Sequence, residues 1–102
     1  MNDLDMCYEI AKLRGVDFHI AMEDKPDAYL WCDDTESEYN PITDLALNCM
    51  LRDKHRVEVN YTYDAVDIFT GLSHTNVGFE SKEDIPRAVC LCILKSQGLY
   101  HE

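Results

Sequence analysis

Positive charge is what this chain has least of: nine lysines and arginines stand against twenty aspartates and glutamates, a net charge of −11 over 102 residues. A field of that sign repels nucleic acid and anionic membrane and attracts basic protein surfaces. Long apolar runs are absent as well. The longest, from Ala88 to Leu94, is seven residues, far short of the ~20 needed to span a bilayer. The opening MNDLDMCYEI has neither the basic start nor the apolar stretch of an export signal. The chain therefore reads as a soluble protein of a bacterial cytoplasm, in one domain over residues 1–102.

Catalytic motifs are also missing. Four scattered glycines form no G-x-G-x-x-G or G-x-x-x-x-G-K phosphate cradle. None of Ser37, Ser73, Ser81 and Ser96 lies in G-x-S-x-G. His19, His55, His74 and His101 form no zinc-ligand spacing. With twenty acids, the proximity of two carboxylates carries almost no information. No enzymatic activity, no cofactor and no metal is expected. Asp34, Glu36 and Glu38 could start a calcium loop, but Tyr39 stands where its glycine belongs, and no acid closes it.

Cysteine is plentiful, yet Cys7, Cys32, Cys49, Cys90 and Cys92 are odd in number and contain no C-x-x-C. A disulfide framework is not expected. Four of them fall on predicted helices at core-facing spacing, where a free thiol acts as a small hydrophobe.

Periodicity supplies the fold. Leu4, Cys7 and Ala11, with Met6, Ile10 and Leu13 beside them, predict a helix over 3–14, capped by Asn2 or Asp3 and stopped at Gly15. Residues 16–22 and 28–32 read as a hairpin around the turn at 23–27. Residues 33–38 read as a polar loop. Asn40 and Pro41 have N-cap and first-turn chemistry, so Ile42, Leu45, Ala46, Cys49 and Met50 predict a core-facing helix over 41–53. Val57, Val59, Tyr61 and Tyr63 alternate as a third strand, 66–70 reads as a fourth, and 75–79 as a short edge strand. Asp84 opens a last helix over 85–97, apolar nearly all round and hence buried on more than one side. The expected class is α+β, an antiparallel sheet of four or five strands with three helices, in the order αββαββ(β)α.

The stretch Tyr39-Asn40-Pro41-Ile42-Thr43-Asp44-Leu45-Ala46 resembles the Y-N-P-x-T-D-x-A signature of small phage and prophage proteins described as an "ABA sandwich" domain. Pro86-Arg87-Ala88-Val89-Cys90 is similar to that family's late P-x-A-x-C helix. The resemblance covers residues 39–98, and loosely 3–15. It implies a helix/sheet sandwich with helices on opposite faces, which would suit a strand such as Val66-Asp67-Ile68-Phe69. It also implies a bacteriophage setting, and carries over no catalytic residue.

Charge then suggests the role. Residues 1–40 hold eleven acids and three bases, and residues 41–102 hold nine and six. Carboxylates can imitate a phosphate backbone against a basic groove. The expected function is a phage accessory protein, a DNA mimic that binds and inhibits a host protein, such as one of host defence or nucleic-acid handling. Asp27, Asp33, Asp34, Glu36 and Glu38 would carry the contact, flanked by Trp31 and Tyr39. The expected partner is thus a host protein with a basic surface; no direct nucleic acid and no membrane are expected, and a homo-oligomer stays open. The alternative is an oligomer that sequesters a nucleotide-like signal with Tyr61, Tyr63 and Arg56; a small enzyme and a structural subunit are further readings.

Overall fold

A computed structural model describes residues 2–100. It holds three helices and six short strands. Helix α1 (Asp3–Arg14) opens on a reciprocal cap: Asp5 N–H donates to Asn2 Oδ1 at 2.8 Å, and Asn2 N–H to Asp5 Oδ2 at 3.3 Å. It closes on Gly15 in the left-handed region, φ 67°. The strands β1 (Phe18–Ala21), β2 (Tyr29–Cys32) and β3 (Ser37–Glu38) form one antiparallel sheet. Helix α2 (Leu45–His55) separates it from a second, formed by β4 (Glu58–Asn60), β5 (Ala65–Thr70) and β6 (Ser73–Gly78). A single 3-10 turn at Lys82–Asp84 leads into α3 (Ile85–Ser96).

The α+β class holds, but the strands form two sheets of three rather than one of four or five. The extra strand comes from the segment expected to be a plain loop. Glu36 takes a left-handed conformation, φ 52°, which reverses the chain after Cys32 and lets Ser37 and Glu38 pair with Cys32 and Trp31. The helices do not flank a sheet on opposite faces. Instead α3 lies on β5 and β6, while α1 and α2 pack against α3. Its buried Ile85, Ala88, Val89, Cys90, Cys92, Ile93 and Leu94 account for the apolar circumference read from the sequence. Phe69 is therefore not covered by a second helix layer; it is 58% exposed and stacked on His74.

Three local expectations change. Asn40 does not cap α2; its Oδ1 accepts from Ile42 and Thr43 N–H and closes one turn over Pro41–Thr43. The helix starts at Leu45, with Asp44 as its cap accepting from Leu47 N–H at 3.2 Å. The inward face is Leu47, Asn48 and Leu51, and the expected stripe turns outward, with Leu45, Met50 and Cys49 exposed. The third strand ends at Asn60, whose Oδ1 accepts from Thr62 and Tyr63 N–H. That side-chain turn, with Asp64 at φ 49°, takes Tyr61 and Tyr63 off the sheet. Asp84 makes no side-chain cap bond to α3; it accepts from Ser81 Oγ in the preceding turn.

Candidate functional site: an acidic sheet around Trp31

Alternation along the first sheet decides what it shows to solvent. Leu30 and Cys32 are buried and turn inward with Phe18 and Ile20, where Phe18 meets Tyr8 of α1 edge-on at 5.4 Å. Tyr29, Trp31, His19 and Ala21 share the other face, since His19 pairs with Trp31 and Ala21 with Tyr29. Glu38 lies opposite Trp31 on the far side. Trp31 thus stands half-buried at the centre of a small outward face, between a histidine and a carboxylate.

The acidic residues frame that face at its two ends. The β2–β3 turn carries Asp33, Asp34 and Glu36 together, next to Asp17, whose carbonyl accepts from Asp33 N–H at 2.9 Å. Asp27 is not with them: it lies in the β1–β2 loop, at the opposite end of the hairpin, with Glu23 and Asp24. Asp27 and Glu38 meet elsewhere, lining a cleft of about 200 Å³ with Asp3 and Tyr29. Asp33 bonds His19 Nδ1 at 3.1 Å. Asp17, Glu23, Asp24, Asp27, Asp34, Glu36 and Glu38 are exposed, and none has an ion-pair partner among the described residues.

Tyr39 is not on this surface. It is 6% exposed, and its hydroxyl accepts from Arg14 Nη1 at 3.4 Å. Burial raises its pKa, partly offset by the Arg14 hydrogen bond. Behind the sheet, Arg14 lines a cleft of about 370 Å³ with Val16, Cys32, Leu47 and Met50, and its Nε is buried without a partner among the described residues. No sequence pattern pointed to this arginine, because Arg14 reads as ordinary helix-end charge.

Of the residues of the resemblance, Tyr39, Pro41, Ala88, Val89 and Cys90 are buried, whereas Thr43, Asp44, Leu45, Ala46 and Arg87 are exposed. Asn48, 3% exposed, gives its amide hydrogens to Pro41 O at 2.8 Å and Pro86 O at 3.0 Å, with Cys90 Sγ 3.8 Å away. Cys7 Sγ donates to Asn40 Oδ1 at 3.6 Å. Burial pushes the Cys7 and Cys90 thiols up to about 12 and Cys92 to about 11, which keeps them protonated and poor nucleophiles at neutral pH. Among the described residues no group of three or more His, Cys, Asp or Glu side chains could hold a metal ion, and no helix is long and apolar enough to cross a membrane.

Tyr61 and Tyr63 are 61% and 78% exposed on their turn, and Arg56 is the left-handed cap of α2. None of the three lines the clefts described here. No family model matches the chain, and neither a curated protein nor a solved structure matches it.

Proposed function

We propose that the chain is a phage accessory protein that binds a basic surface of a host protein through its first sheet. The observation that carries this reading is the set of exposed carboxylates, most without an ion-pair partner among the described residues, at both ends of a half-buried tryptophan. An aromatic centre with a charged, solvated rim is the anatomy of an interaction patch: the ring supplies desolvated contact area and the rim excludes water and selects charge. The negative field speeds encounter with a positive partner and repels nucleic acid itself. The phage setting rests on the resemblance of residues 39–46 and 86–90. Inhibition would follow from occupying a groove that the host protein otherwise offers to a polyanion.

The test is affinity capture from a host lysate with immobilised protein, followed by a salt gradient. The expected result is a basic protein retained at low salt and released as salt rises. Retention of an acidic protein, or capture that Trp31→Ala leaves unchanged, would contradict the reading.

A further inference from the structure

The second sheet leaves one edge open. The two-residue loop Gly71-Leu72 makes Thr70–Ser73 a bonded pair, and the ladder then bonds at Ile68–Thr75 and Val66–Val77. The backbone N–H and C=O groups of His74, Asn76 and Gly78 consequently point away from β5, to the side of β6 that no strand of the described residues occupies. None of these groups bonds to the backbone of another segment among the described residues. Proteins usually guard such an edge with lysine, proline or a bulge. Here β6 pairs regularly over all six residues, and His74 is its one ionisable side chain.

Beside that edge runs a cleft of about 550 Å³ between the end of β6 and α3. Val77, Phe79, Ala88 and Leu91 give it apolar walls, and Glu80 and Asp84 lie at its rim. Arg87 also lines it, but its Nε donates to Asp3 Oδ1 at 2.8 Å, so that charge is already answered. The uncompensated charge of the rim is therefore negative.

We propose that β6 and this cleft form a receptor for an extended peptide segment of a partner protein. The segment adds to the sheet as a fourth strand, its backbone bonding to His74, Asn76 and Gly78. Alternate side chains of an added strand fall on the α3 side. There an apolar residue fills the cleft against Leu91 and Phe79, and a Lys or Arg two positions away meets Glu80 or Asp84. A second copy of this chain is the poorer occupant, because it brings another net −11 to a rim that is already negative. The surface shares no residue with the first sheet, so the two proposals stand or fall separately.

A displayed library of random heptapeptides is the probe. Enriched peptides should pair an apolar residue with a basic one at i, i+2, and should shift and protect the His74, Asn76 and Gly78 amides in labelled protein. Gly78→Pro removes an outward N–H without breaking a ladder bond, and should weaken binding about tenfold or more. Glu80→Lys is an exposed change that cannot disturb the core, and should weaken basic peptides while leaving the melting curve alone. The proposal is overturned if no peptide enriches, or if enriched peptides move the Tyr29 and Trp31 amides instead. It is overturned equally if binding survives both substitutions, or if sedimentation shows a dimer with β6 protected in the absence of peptide.

Discussion

Asn48 shows how much one side chain can hold at the residue scale. Its two amide hydrogens tie the turn at Pro41 to the start of α3 at Pro86. Asn48→Ala leaves two carbonyls without that donor in a buried seam, which should cost about 2–3 kcal/mol by denaturant unfolding. A loss under about 0.5 kcal/mol would mean that water replaces the amide. Arg56 should behave oppositely. It holds φ 54° as the cap of α2, so Arg56→Gly should gain up to about 1 kcal/mol. A titration of native thiols should find Cys49 reactive and Cys7, Cys32, Cys90 and Cys92 slow until the chain unfolds, since only Cys49 is exposed. The sequence put four of the five, Cys49 among them, at core-facing helical spacing. It misplaced Cys49 because α2 turns Leu47, Asn48 and Leu51 inward instead of the more continuous apolar stripe through Leu45, Cys49 and Met50, and no spacing argument separates Asn40 from Asp44 as the cap.

Elements carry the pH dependence. Asp67 lies on the outer side of β5, nearly covered by its strand neighbours, and its carboxylate sits below the usual range because Asn76 and then His74 donate to it. The unfolded chain takes up that proton first, so the stability contributed by Asp67 is present above its ordinary pKa and lost as pH falls through the lowered folded value. Asp67→Asn should flatten the melting profile below about pH 4 relative to the parent. His55 acts at higher pH. Burial, and then Lys54 and Arg14, lower its pKa, and its Nε2 is buried without a partner among the described residues. Unfolding therefore takes up a proton, and stability declines as pH drops from about 6.5 until the lowered folded value is reached. His55→Gln should remove that slope; an unchanged slope would assign it elsewhere. Three helices and the hairpin pairs of the strands were legible in the sequence from periodicity and turn residues. The split into two sheets was not, because strand pairing depends on where α2 and α3 pack.

At the scale of the whole molecule, charge and shape divide the labour. The apolar α3 is wrapped by α1, α2 and the second sheet, and the first sheet is left as a thin acidic outwork bearing Trp31. The sequence located the acidic excess and the tryptophan, and the structure places Asp33, Asp34 and Glu36 in one turn beside them. It could not show that Tyr39 is core or that Asp27 lies at the far end of the hairpin, because adjacency in sequence is not adjacency across a strand. The most direct measurement is the association rate with the captured host protein against salt. The comparison is between the parent and a variant carrying Asp33→Asn, Asp34→Asn, Glu36→Gln and Glu38→Gln. These side chains are exposed, so the variant should melt at or slightly above the parent's temperature. Its association should be about tenfold slower or more at low salt, with the salt dependence flattened. An unchanged rate, salt slope and affinity in the folded variant would contradict the account and remove the first sheet from the binding surface.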